Sequence, residues 1–293
     1  MSKDNKTNTI LLSFFICGVS YADVMIKSPH GGVLTFSQEK KGRYYDKDAW
    51  GRITFSNQHY SADLSRSDRY YTEDGSSKTS PSGKYLIVDS VSGGYVGQED
   101  GTFKYTDRAY CSVIDMTDGC IVSDWNGGAC AYTWVGNKDV LASSEEPGAE
   151  IFDFISFRSS INKAIISSST INSRVVRNIM RCDAPRKENI NSYQEFAKKN
   201  KESKKIINNQ IVNYLKSDLT ELTIKAKARL FTTPDESNQT KAYLIAGDKV
   251  KKIQNSADDE WINIGYINKK GTPLVAWVKA DTVAEQKNTN RKK

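Results

Sequence analysis

The chain has 293 residues, with 42 Lys and Arg against 35 Asp and Glu, a formal charge of +7 and two histidines. Its 38% hydrophobic and 10% aromatic content excludes a disordered or fibrous chain and suffices for one large or two modest domains. Two histidines are too few for a multi-histidine zinc site, and no H-E-x-x-H run occurs.

Residues 1–22 read as a secretory signal peptide. Lys3 and Lys6 give a basic start, residues 10–19 form a short apolar core, and Ser20-Tyr21-Ala22 ends in the small residues a signal peptidase reads. The apolar run is shorter than the roughly 20 residues that span a bilayer, and no later segment approaches that length. A lipid anchor at Cys17 is disfavoured, because Phe14-Phe15-Ile16 lacks the small residue such processing wants. Cleavage after Ala22 removes two lysines and one aspartate, so +7 becomes +6. The expected location is the periplasm.

Residues 23–150 read as an all-β domain, a small sandwich or a single curved sheet. Runs at 32–36, 52–55, 85–88 and 111–114 are rich in β-branched and aromatic residues, with Gly, Asp, Asn and Ser clusters between them. Export leaves Cys111, Cys120, Cys130 and Cys182. An even count in an oxidising compartment points to disulfides, with three connectivities open. In a flat meander Cys111 and Cys130 stand two strand spacings apart, about 9.6 Å, beyond disulfide reach. Either the sheet bends or one of them pairs with Cys182. Two tyrosine-rich stretches, 42–52 with Tyr44, Tyr45 and Trp50, and 67–75 with Tyr70 and Tyr71, are candidate partner-binding surfaces or strand ends with half-buried rings.

Residues 151–220 change to helical spacing. Ile171, Val175, Val176, Ile179 and Met180 recur on one face, and Pro185 closes that element. Ser192-x-x-Glu195 reads as a capping box opening a helix that carries Tyr193, Phe196, Ile207, Ile211 and Leu215. Within it, the run 198–205, with Lys198, Lys199, Lys204 and Lys205, is polar all round. It is either a solvated face or a face for an acidic partner.

Residues 221–284 return to strands, and 285–293 read as a disordered basic tail. Within the strands, Leu230-Phe231 with Pro234, then Tyr243-Leu244-Ile245-x-Gly247-Asp248-x-Val250, then Trp261 with Ile262 and Ile264, and Ala276-Trp277-Val278 follow one another. This order resembles a bacterial SH3-like domain over about residues 223–283, with Ala276 where the family often has glycine. The resemblance implies a compact barrel in which Phe231, Tyr243, Trp261, Tyr266 and Trp277 form an aromatic core or groove wall. It also implies binding to cell wall or peptide-like ligands, or a purely structural appendage, instead of chemistry. In the first domain, "SPSGKYL" and "AYCSVIDM" are similar only to parts of uncharacterised exported proteins carrying the same C-terminal module.

His30-Gly31 with Asp118-Gly119-Cys120-Ile121 echoes an L,D-transpeptidase, but the two lie ninety residues apart. The acidic neighbours Asp115, Asp118 and Asp124 would also raise a thiol's pKa. No phosphate loop, nucleophile elbow or calcium loop is present, and no cofactor is expected. A nucleic acid is not an expected partner of an exported protein. The expected function is a non-enzymatic periplasmic binding protein, an inhibitor or immunity protein that neutralises an antibacterial toxin of the type VI secretion effector kind. The alternatives are peptidoglycan binding through the C-terminal module and a cell-wall-active enzyme.

Overall fold

The structure, a computed structural model, describes residues 23–44, 47–73, 78–126, 132–143, 157–166 and 171–285. Residues 1–22, read above as a signal peptide, Tyr45, Cys130 and residues 286–293 lie outside the described residues. The fold is mainly β with a small helical part.

The first sheet contains β1 (Val24–Lys27), β2 (Val33–Tyr44), β3 (Lys47–Ser56), β4 (Ser61–Asp63), β5 (Tyr70–Thr72), β6 (Tyr85–Gly97), β7 (Phe103–Asp115) and β8 (Cys120–Asn126). All its pairings are antiparallel, in the order β1-β2-β3-β5-β6-β7-β8, and β4 shares the outer lane of β3 with β5. It is a single sheet, as the hairpin spacing of the sequence allows. The strands read as unbroken apolar runs because both faces are covered. Leu86, Val88 and Ile114 join Leu34, Phe36, Trp50, Ile53 and Phe55 on one side. Ile87, Val113, Cys111, Cys120 and Val122 pack with Leu141 and Cys182 on the other. A short hairpin, β9 (Tyr132–Trp134) with β10 (Leu141–Ser143), lies beside this second face.

The β7–β8 turn passes through Gly119 at φ +63°, and a Cβ there would sit 2.6 Å from the Phe55 ring. Left-handed backbone and a closed contact together favour glycine. Gly119→Ala is expected to lower stability by about 2 kcal/mol, measured by urea unfolding; an unchanged midpoint would show that the Phe55 ring gives way.

The helical part comprises α1 (Ile161–Ile166), α2 (Ser173–Cys182), α3 (Ile190–Lys199) and α4 (Lys204–Leu215). Asn172 caps α2, its side chain accepting from the backbone N–H groups of Arg174 and Val175. Two expectations need correction. The Ser192–Glu195 capping box does not open a helix: α3 starts at Ile190, behind Asn189, and Glu195 instead pairs with Lys199 at 2.8 Å. The polar run 198–205 is a chain reversal rather than a continuous helix. Asn200 ends α3, donates to the Ile171 carbonyl and accepts from the Ser203 N–H, and Ser203 is buried. Asparagine prefers such local bonds to helix propagation.

The second sheet runs β13-β12-β16-β15-β14-β11-β17, antiparallel and curved into a half-barrel. Its strands are β11 (Glu221–Ile224), β12 (Ala228–Phe231), β13 (Gln239–Leu244), β14 (Lys249–Asn255), β15 (Trp261–Ile267), β16 (Pro273–Lys279) and β17 (Val283–Glu285). Its interior holds Leu222, Leu230, Val250, Ile264 and Val278. The helices join the two sheets. Ile253 and Val275 belong to the core that the helices build from Tyr193, Phe196, Ile207 and Ile211, and the Gln194 side chain bonds both backbone groups of Val275.

Towards the first sheet the link is covalent and ionic. Cys120 at the start of β8 is bridged to Cys182 at the end of α2. The Asn178 amide donates to the Ile121 carbonyl and accepts from its N–H. Arg158 donates to Asp115 at 2.8 Å, to Asp118, and to the Cys182 carbonyl at 2.9 Å.

Candidate protein-binding interface

The β6–β7 hairpin outgrows its sheet. β5 pairs with β6 no farther than Val91, and β8 pairs with β7 no farther than Tyr110. Beyond these points Ser92 to Gly97 and Phe103 to Arg108 pair only with each other among the described strands. Six residues per strand, at about 3.4 Å each, give an arm roughly 20 Å long. The inner half of β6 is packed with Leu, Ile and Val, whereas the outer half reads Ser-Gly-Gly-Tyr-Val-Gly, and there the burial stops.

Directly opposed residues share a face of an antiparallel ribbon. Tyr95 opposes Tyr105 and Gly97 opposes Phe103, so Tyr95, Phe103 and Tyr105 stand on one side. Tyr95 and Phe103 are 74% and 73% exposed and Tyr105 is 48% exposed. Their order is local: Tyr95 and Tyr105 meet edge to face at 5.4 Å, and the Tyr105 ring lies over Gly93, where a Cβ would come within 2.0 Å of its hydroxyl. Glycine lets the ring lie flat on the ribbon. At the tip, Glu99 and Asp100 add two negative charges, and Asp100 accepts from the Thr102 N–H and hydroxyl, which holds its carboxyl below the usual range. Rigid, exposed aromatic side chains around a polar tip are the composition of a recognition surface.

The predicted site residues are distributed differently. Trp50 is buried, stacked edge to face with Phe36 at 5.7 Å, and Tyr71 is buried with its hydroxyl accepting from the Arg66 N–H at 2.7 Å. Both belong to the first core, which corrects their assignment to a partner surface; the β3–β5 pairing Trp50↔Tyr71 carries them inward. Tyr70 is half-buried, and Tyr44 ends β2. Lys198, Lys199, Lys204 and Lys205 are exposed around the α3–α4 reversal.

In the second sheet Phe231, Trp261 and Trp277 form a closed cluster, with Phe231 and Trp261 at 4.7 Å and Lys279 over the Trp261 ring at 4.0 Å. Tyr266 packs against the interior core. Tyr243 stands apart, 54% exposed beneath Lys227, so the five aromatics do not make one groove.

Of the cysteines, Cys120 and Cys182 are joined, and Cys111 is disulfide-bonded as well, while Cys130 lies outside the described residues. The bridge removes the thiolate that the transpeptidase echo at Cys120 requires. Among the described residues, no three His, Cys, Asp or Glu side chains group as a metal-ligand set, and no helix is long and apolar enough to cross a membrane. The arm was missed from sequence because "SGGYVGQEDGTFKYTD" (92–107) reads as a loop. The signal that was available is the alternation of Tyr95 and Val96 against Phe103 to Tyr105 around a Gln-Glu-Asp-Gly turn.

No protein family, curated protein or solved structure matches this chain.

Proposed function

We propose that the protein acts by binding another protein, as a periplasmic inhibitor or immunity protein directed at an antibacterial toxin of the type VI effector kind. The observation that carries this is the arm: an ordered ribbon with one aromatic face and an acidic tip, exposed on a chain that is otherwise basic. Its width, about 5 Å between two strands plus side chains, suits insertion into a concave cleft with apolar walls and a basic end, and occluding such a cleft needs no catalytic residue. The disulfides and the periplasmic location belong to the same proposal, since an inhibitor held in an oxidising compartment gains rigidity from cross-links. The C-terminal half-barrel is proposed to be SH3-like on its motif order. Its tight Phe231–Trp261–Trp277 cluster favours a structural role there over an open aromatic groove.

The test is capture by the chain from residue 23 onward, immobilised, against periplasmic and secreted proteins and, separately, insoluble peptidoglycan sacculi. The partner is then purified for affinity measurement and assayed for toxicity. The variant Y95S/F103S/Y105S is expected to melt with the parent protein and to weaken the purified partner at least roughly 100-fold, because clustered aromatic anchors dominate interface energies. Retention on sacculi that vanishes when 223–283 is deleted, with no protein partner, would overturn the proposal and make this a wall-binding protein.

A further inference from the structure

A second feature points to a ligand of definite chemistry and does not rest on the arm. Arg52, Arg66, Arg69, Arg158 and Arg186 each hold a carboxylate. Arg174, Arg177 and Arg181, at i, i+3 and i+7 of α2, share one helix face and have no salt bridge among the described residues.

Arg177 and Arg181 line a cleft of about 960 Å³ between α2, α4 and β4, a volume that suits a peptide-sized ligand. Arg181 is anchored rather than satisfied. Its Nε donates to the Gly119 carbonyl at 3.1 Å and one terminal nitrogen donates to Asn178 at 3.2 Å, which leaves further N–H donors for the cleft. Burial draws its guanidinium below the usual value, so an approaching anion relieves a desolvated charge. Opposite stands β4, which pairs with β3 on one side only; no described strand occupies its outer edge. Ser61 to Asp63 therefore offers strand backbone to the cleft, and Gln210 and Asn213 of α4 add amide groups.

We propose that this cleft binds an extended peptide segment carrying acidic residues at alternate positions, laid along the edge of β4 with its carboxylates on Arg177 and Arg181. The spacing agrees: residues i and i+4 of a helix stand about 6 Å apart, and residues i and i+2 of an extended strand stand about 6.7 Å apart on one face. Adding a strand to a free edge supplies main-chain bonds, while the side chains supply selectivity. A phosphate is the poorer occupant. Asp63, Asp118 and Asp183 also line the cleft, each paired with an arginine of its own, and a phosphate dianion concentrates on one group the charge that two carboxylates about 6.7 Å apart share. Arg–carboxylate pairs further favour planar, two-point recognition.

The experiment is calorimetric titration of the chain from residue 23 onward at low salt with N-acetylated, C-amidated Ala-Glu-Leu-Glu-Ala. Ala-Gln-Leu-Gln-Ala and inorganic phosphate are the comparison ligands. The Glu peptide is expected to bind one site at least about tenfold tighter than either, R177Q to weaken it about fivefold, and R174Q/R177Q/R181Q to abolish it. Arg177 is exposed and its side chain makes no hydrogen bond or salt bridge among the described residues, so R177Q is expected to melt with the parent protein. K198Q/K199Q/K204Q/K205Q is expected to leave the affinity within about twofold, which separates the cleft from general positive charge, and Y95S/F103S/Y105S is expected to leave it unchanged. No binding of the Glu peptide, equal binding of the Gln peptide, tighter binding of phosphate, or an equal loss in the lysine variant would each overturn the proposal.

Discussion

Replacing Arg158 by methionine is expected to cost about 3 kcal/mol of stability at neutral pH, and the deficit is expected to shrink on acidification. Among the described residues Arg158 is the one cation in direct contact with both Asp115, which is buried, and Asp118, and its Nε also donates to the Cys182 carbonyl. Taking away one member of a buried ion pair leaves a charge that neither water nor protein satisfies, and such losses run to about 3–5 kcal/mol. The half-open position of Arg158 places this one at the lower end. Asp118 already titrates above its ordinary value, first through burial and then through the neighbouring Asp115. Without Arg158, which opposes that rise, it climbs further. A carboxyl whose folded pKa exceeds its unfolded value binds protons more readily in the native state, so its contribution to stability improves as pH falls through the folded value. Urea unfolding of parent and variant at pH 7 and near pH 4.5 measures the difference. A deficit equal at both pH values would mean that Arg158 contributes packing rather than charge compensation. Asp63, Asp68 and Asp139 are held below their usual range by Ser65, Arg66 and Ser82. Their contribution is lost as pH falls in both proteins, and it cancels in the comparison.

The sequence displays this junction only in fragments. Asp115 and Asp118 were noted as acidic neighbours of Cys120, but their partner stands 40 and 43 residues away, and periodicity carries no information on a contact of that separation. Strand positions were legible where β-branched runs met glycine or aspartate punctuation, as at Leu86–Ile87–Val88 and at the Thr117–Asp118–Gly119 turn. The second face of the first sheet was not, since burial on both sides erases the alternation that assigns an orientation. The helical region was legible in kind, because Val176, Ile179, Ile207 and Ile211 keep their spacing. Its break was missed because Asn200 ends the first helix through side-chain bonds to the Ile171 carbonyl and the Ser203 N–H that a lysine-rich run conceals. The arginine face of α2 was not read from the sequence, although Arg174, Arg177 and Arg181 recur there at helical spacing. What no spacing reports is that Arg66, Arg69, Arg158 and Arg186 find carboxylates while these three find none among the described residues.

Removing the Cys120–Cys182 bridge as C120A/C182A is expected to lower the melting temperature by roughly 10 °C. The bridge closes a loop over a sequence separation of 62 residues, and the chain-entropy cost of a loop that long is about 4 kcal/mol in the unfolded state. Both sulfurs lie in the core that covers the second face of the first sheet, so alanine adds no buried polar group and leaves only small voids. Cys111 keeps its own bridge, which confines the change to one cross-link. The loss should also be local in a way that a uniform destabilisation is not. α2 carries the Arg177–Arg181 wall of the cleft, and without the bridge the polar contacts that tie it to β8 and the preceding turn among the described residues are Asn178 on Ile121, Arg181 on the Gly119 carbonyl and the Cys182 carbonyl through Arg158 to Asp118. Hydrogen exchange is therefore expected to quicken at Val176–Cys182 by more than in α4, which is packed against Gly265 of the second sheet by Leu215. Calorimetry with exchange read at both helices decides between two mechanisms. A fall in melting temperature with even loss of protection means that the disulfide acts through the unfolded chain alone. A fall with selective loss at α2 means that it also holds the helix, and with it the arginine face, against the sheet.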